Sequence, residues 1–243
     1  MARTESAAYD TWSDFKAGWS ARLFPAPPPE RNRFLFRGQR DASWDLATAF
    51  DRRFDRYEAT ERVAIWDKLV SAFVEMLADS EEAKEIDGDL EHILAAAQHY
   101  GLPTRLLDWT TSPYQAAYFA FEDAVTHPDP DRSHVAVWAL DSHANVWKSS
   151  LGARIVRVTA AKNPRMRAQS GRFTLMNTPH QSLNEYVESF PGTEPILTRF
   201  VLPAAEAVPA IQDLDLMGIT AAHLFPGLEG ICRTVLMDAL LGK

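Results

Sequence analysis

Residues 98–122 read QHYGLPTRLLDWTTSPYQAAYFAFE, and their pattern decides the fold class. A helix predicted over Leu90–His99 ends at Gly101 and Pro103, as a C-cap pair requires. Arg105–Trp109 is short, apolar and bounded by turn residues, which predicts a strand. Thr111 or Ser112 can cap the next helix, with Pro113 at its first position. That helix runs to about Ala124 and buries Ala116, Ala117, Phe119 and Ala120, with Tyr118 at the margin. The same stretch crowds His99, Arg105, Asp108, Trp109, Thr110, Thr111 and Ser112 together. Buried polar groups need partners, so the cluster is either a structural network or a site.

Working outward, the prolines of PAPPP (25–29) favour a stiff extended connection. They follow an N-terminal helix predicted over Asp10–Leu23, so 1–29 reads as a helix with a proline-rich connection and 30–243 as the main domain. RFLFRGQR (33–40) reads as a strand ending at a glycine. Val63, Trp66, Leu69, Val70, Phe73 and Leu77 recur at helical spacing. His134–Leu140 alternates like a strand, with further strands predicted at 153–158, 172–176 and 196–202. Two C-terminal helices follow, at 204–217 and about 226–241. Few, short strands with unevenly placed helices predict an α+β single domain with small mixed or antiparallel sheets.

Composition bounds the function. With 46% hydrophobic residues in 243, the chain can bury a sizeable core. One cysteine, Cys232, excludes an internal disulfide framework and fits a reducing compartment. It lies in an apolar helical pattern and is expected to be a buried thiol. No apolar run is long enough to span a membrane, and MARTESAAYDTWSDF lacks a signal peptide's apolar segment. A soluble, cytoplasmic protein is therefore expected. The net charge of −8 argues against bulk nucleic-acid binding. Between Asp141 and Glu185, however, there is no acid, while Lys148, Arg154, Arg157, Lys162, Arg165, Arg167 and Arg172 are all basic. This zone, 148–172, is either a solvated face or a surface for a nucleic-acid or protein acceptor.

Three constellations could carry chemistry. Phe36-Arg37-Gly38-Gln39-Arg40 ends a strand with a guanidinium and an amide. Arginine suits bidentate recognition of phosphate, and a glycine allows close backbone approach or a positive φ. The bland alternative pairs Arg37 with Asp41, Asp45 or Asp108. The second constellation is Gly101 to Ser112, where hydroxyls at a helix start either cap it or share free N–H groups with an anion. The third is RMRAQSGRF (165–173), where Gln169 and Gly171 repeat the glycine-plus-amide theme. P-loop, dinucleotide and nucleophile-elbow motifs are absent, and the seven histidines show no metal-ligand spacing, so no metal is expected.

The chain resembles the FRG domain family, named for the Phe-Arg-Gly found here at 36–38. The likeness runs through FRGQRDASWDLATAFDR, AAQHYGLPTRLLDWTTSPYQAAYFAFED, RAQSGRFTL and GITAAHLFPGLEGI. A more distant resemblance is to the ADP-ribosyltransferase fold. There an Arg or His stands on a first core strand, a Ser/Thr strand leads into an A-x-x-F-A helix, and a late strand carries Glu or Gln. Arg37, Thr110–Ser112 with Ala116–Ala120, and Gln169 match that order. The resemblance implies NAD as nucleotide substrate, with Arg37, Gly38 and Gln39 near its pyrophosphate. Thr110, Thr111 and Ser112 would position the nicotinamide ribose, Tyr118 or Trp109 would stack on the ring, and Arg105 and Asp108 complete the implied cofactor-binding set. Arg37, His99, Thr110 and Gln169 are the implied catalytic set. Gln169 departs from the pattern, since an amide is neither acid nor base; Glu122 or Glu185 would have to supply that function.

Three readings follow. The chain is an NAD-dependent transferase or glycohydrolase, of the toxin or defence kind, acting on protein or nucleic acid. Or it is a non-catalytic module binding a phosphate-bearing ligand or nucleic acid. Or Arg37, His99, Arg105 and Asp108 form a buried network that only fixes the core.

Overall fold

Two β-sheets are joined by a β-bridge, and helices pack on their outer faces. The computed structural model describes residues 3–25, 32–81, 86, 89–158 and 172–242. In chain order the elements are β1 (Thr4–Ala8), α1 (Trp12–Leu23), β2 (Phe34–Gln39), α2 (Ala49–Arg53), α3 (Ala59–Ala78) and α4 (Leu90–His99). Then come β3 (Leu106–Trp109), α5 (Pro113–Thr126), β4 (His134–Asp141), β5 (Ala153–Val156), β6 (Arg172–Met176) and α6 (Leu183–Glu188). The chain closes with β7 (Leu197–Pro203), α7 (Ala207–Leu216), α8 (Ala221–Leu224) and α9 (Leu228–Leu240).

The first sheet has the order β1-β7-β4-β2 and is mixed: β1 runs parallel to β7, and the other pairs are antiparallel. The second, β3-β6-β5, is wholly antiparallel. This is the expected α+β domain. Strand β4 explains the layering. Val135, Val137 and Ala139 pack with α1, α5 and the C-terminal helices, whereas Ala136, Trp138 and Leu140 pack toward the second sheet and α6. Both faces of the strand are thus buried, as its nearly unbroken apolar run requires. A third cluster places Phe50, Trp66 and Leu94 of α2, α3 and α4 on the far face of the second sheet, against Leu106, Phe173 and Leu175.

Helix starts follow the expected chemistry. The Thr11, Asp89 and Ser112 side chains accept from backbone N–H groups at the starts of α1, α4 and α5. Residues 3–25 are knitted into the body. β1 pairs with β7 in register Thr4–Leu197, and Trp12, Phe15 and Leu23 lie in the main core. TESAA lacks the alternation that marks a strand, so only its pairing with β7 reveals it.

Cys232 corrects one expectation, for it is exposed. Helix α9 buries Gly230 and Met237, while Leu228, Ile231, Val235 and Leu236 stay on the open side with Cys232. An apolar pattern on this helix therefore does not imply burial all round. Among the described residues, no helix is long and apolar enough to cross a membrane, and no His/Cys/Asp/Glu group could hold a metal ion.

Candidate functional site

The bridge joining the sheets is formed by Phe36 and Thr110. Phe36 N–H donates to the Thr110 carbonyl at 2.7 Å, and Thr110 N–H donates back at 2.8 Å. Beyond this point β2 stays in the first sheet and β3 in the second, so the strands diverge and open a cleft. Arg37, the residue after the bridge, stands in that opening.

The cleft has two lobes. The inner lobe is about 410 Å³, with walls of Phe36, Trp109, Phe119, Phe173 and Phe225. Its polar groups are Arg37, His99, Asp108, Thr110, Glu122 and Arg233, with Gln98 beside Asp108. The outer lobe is about 770 Å³ and is bounded by Arg37 to Arg40, Trp44, Arg52 and Asp123. Arg37, Gly38, Phe119 and Glu122 line both, so the lobes adjoin.

Arg37 has a side chain 21% exposed. Its Nη1 donates to the Asp108 carbonyl at 2.9 Å and lies 3.6 Å from Asp108 Oδ2. Its Nε is buried and has no hydrogen-bond partner among the described residues. Burial lowers the proton affinity of Arg37, and the Asp108 charge offsets part of that loss. A guanidinium stays charged regardless, so an incompletely satisfied cation faces the cleft. Asp108 is itself steadied by Gln98, whose Nε2 donates to both carboxylate oxygens at 2.8 and 2.9 Å. Thr104 Oγ1 in turn holds Gln98.

Several residues expected at the site do other work. Gly38 lines both lobes but has no positive φ. A Cβ there would meet the Ala116 carbonyl oxygen at 2.0 Å, so the glycine lets β2 press against the α5 backbone. Gln39 is committed at both ends, donating to the Asp45 carbonyl at 3.0 Å and accepting from Trp138 Nε1 at 2.6 Å. Arg105 is sealed from solvent, with Nη2 3.2 Å from Asp51 Oδ1 and Nη1 on the Thr178 carbonyl. Arg62 is buried beside the same carboxylate.

Thr110 donates to Gln115 Oε1 and lines the inner lobe. Trp109 also lines it, but its Nε1 is held by Thr174 Oγ1. Ser112 caps α5, and neither it nor Thr111 lines the cleft. Tyr118 points away into the main core, where burial and the Glu122 charge raise its pKa. Its neighbour Phe119 takes the place foreseen for it at the cleft. The anticipated buried network therefore divides: Arg105 belongs to a closed cluster, while Arg37, Asp108 and an exposed His99 border open space.

Gln169 lies outside the described residues, as do Lys162, Arg165 and Arg167. Of the basic zone that is described, Arg154 is paired to Glu91 at 2.7 Å, and Lys148 and Arg157 are exposed. The two carboxylates considered as substitutes separate clearly. Glu122 lines both lobes and pairs with Arg233 at 2.9 Å. Glu185 sits on α6 and accepts from the Gln181 N–H. Sequence reasoning missed Arg52, Phe225 and Arg233; a lone Arg within the apolar α9 pattern was the available signal for the last.

No curated protein and no solved structure matches the chain. Residues 32–129, which carry Arg37, the bridge and α5, match the FRG domain. The cleft is thus built largely from this segment, and the chain carries an FRG domain.

Proposed function

We propose that the inner lobe binds a phosphate-bearing nucleotide, with NAD the ligand to test first. The observation that carries this reading is Arg37: a half-buried guanidinium with an unpartnered Nε, set among aromatic walls in a cleft of about 410 Å³. Small-molecule sites are typically clefts of roughly 300–1,000 Å³, mostly apolar with a few placed polar groups. Arg37 would hold phosphate oxygens, and Phe119 or Phe225 would pack against a flat ring. Calorimetric titration with NAD, ADP-ribose and AMP tests it, with Arg37→Ala as control. Binding that depends on Arg37 is expected; absence of binding by all three ligands overturns it.

Glu122 favours turnover as a second reading, since it places a carboxylate in the cleft, whereas the amide of Gln169 is neither acid nor base. In that reaction the bond between nicotinamide nitrogen and ribose C1′ breaks, and nicotinamide leaves with the electron pair. C1′ then bonds to an acceptor oxygen or to water, whose proton passes to Glu122 or solvent. Nicotinamide release from NAD, followed with time, tests it. Binding without release leaves the domain as a binding module.

A further inference from the structure

The outer lobe has a composition of its own. Arg37, Arg40 and Arg52 line it together with Trp44, which is 40% exposed. The Arg40 guanidinium lies over the Trp44 ring at 4.8 Å, covering one face. Acidic residues share the lobe, but two of the three are already matched. Asp123 lies 2.8 Å from Arg132 and 3.2 Å from Arg40, and Glu122 is held by Arg233. Asp45 is the third. Arg52 differs from its neighbours. Its Nη1 donates only to the Ala47 carbonyl, and no carboxylate lies within ion-pair reach of it among the described residues. Partial desolvation against the lobe wall, and then the positive charges of Arg37 and Arg40, lower its proton affinity. Two like charges beside an Arg52 that no carboxylate pairs are a cost that a bound anion would relieve.

From these groups we infer that the outer lobe is a second nucleotide subsite, with a base stacked at Trp44 and its phosphate held by Arg52. An exposed indole braced by an arginine offers a sequence-tolerant stacking surface, and a guanidinium fork suits phosphate. The lobe is larger than the inner one and shares Arg37 and Glu122 with it. A nucleotide bound here therefore abuts whatever the inner lobe holds. The inference rests on the nucleotide reading of that inner lobe and names the acceptor class: a nucleotide unit, free or within single-stranded nucleic acid.

The test measures two probes against the full chain at low salt: AMP by calorimetry, and a labelled, unstructured single-stranded oligonucleotide by fluorescence polarisation. Each is repeated with the inner lobe saturated by NAD. Arg52→Ala and Trp44→Ala should each weaken the outer-lobe probe by about tenfold or more, while Trp44→Phe retains it. Both side chains are exposed, so an unchanged melting temperature is expected for each variant. Retention of affinity by both alanine variants, or no binding of either probe, overturns the subsite. Binding of AMP alone assigns a free nucleotide, and binding of the oligonucleotide assigns nucleic acid. Outer-lobe binding in a chain that never binds NAD rejects the inner-lobe reading alone.

Discussion

A Cβ on Gly38 would stand 2.0 Å from the Ala116 carbonyl oxygen and 2.7 Å from the Ala120 nitrogen. Both are backbone atoms of α5, so no side chain can rotate aside. The glycine of the Phe-Arg-Gly signature thus sets how closely β2 meets α5, and hence where Arg37 stands. Gly38→Ala should destabilise by about 3 kcal/mol, the upper end for overpacking, because strand and helix must separate. Urea denaturation checks this. Gly101→Ala is the contrast, since nothing lies within 4 Å but φ is +91°; it should cost about 1 kcal/mol from strain alone.

Asp51, Arg62 and Arg105 make a second, closed arrangement. One carboxylate faces two guanidiniums, and all three side chains are at most 2% exposed. Thr48 donates to Asp51 Oδ2, and the guanidiniums also reach the Thr178 and Pro179 carbonyls. The cluster ties α2 and α3 to β3 and the segment after β6. Removing the carboxylate leaves two buried cations facing each other, so Asp51→Asn should cost about 3–5 kcal/mol. If ligand affinity per folded molecule is unchanged while the denaturation midpoint drops, the cluster's role is structural. A stable variant with lost binding contradicts that assignment.

These two cases show what the sequence could reveal. Helix α5 and its Ser112 cap were legible because capping is a local rule. Strands β2 and β4 were legible because their apolar runs leave few alternatives. Strand β1 was hidden because its identity comes from pairing with residues nearly two hundred positions away. Arg37 and Arg105 looked alike in sequence, each an arginine at a short strand. Burial separates them, and burial depends on α2 and α3 folding over one and not the other. Tyr118 and Phe119 show the same limit: one residue of rotation on α5 decides which ring sees the cleft.

Helix α1 is anchored through Asp213, which accepts from Trp12 Nε1 at 2.7 Å and Lys16 Nζ at 2.6 Å. Those bonds, Lys16 first, hold the Asp213 carboxyl below its ordinary pKa. The folded value is lowered, so its contribution is present above the unfolded value of about 3.9 and lost as pH falls through the folded one. Stability should therefore fall on acidification below about pH 4, and Asp213→Asn should flatten that limb. Thermal melts across the acid range check this; identical slopes for both proteins reject it.

Arg37 and Glu122 border the same lobes but should fail differently. Arg37→Lys keeps the charge and loses the planar fork, so nucleotide affinity should fall about 10- to 100-fold, as expected for charge-assisted bonds worth about 1.5–3 kcal/mol. Its effect on the melting temperature should be small, since among the described residues the side chain bonds to Asp108 alone. Glu122→Gln keeps the side chain's shape and can still accept from Arg233, whose pairing with Glu229 at 3.0 Å persists. Nucleotide affinity should hold within about threefold, because the amide preserves packing while only the charge is lost. Nicotinamide release, if the domain turns NAD over, should drop at least about 100-fold, the scale of a lost general base. Equal losses of binding and release in Glu122→Gln would instead make Glu122 a binding group, and unchanged affinity in Arg37→Lys would remove phosphate recognition from Arg37.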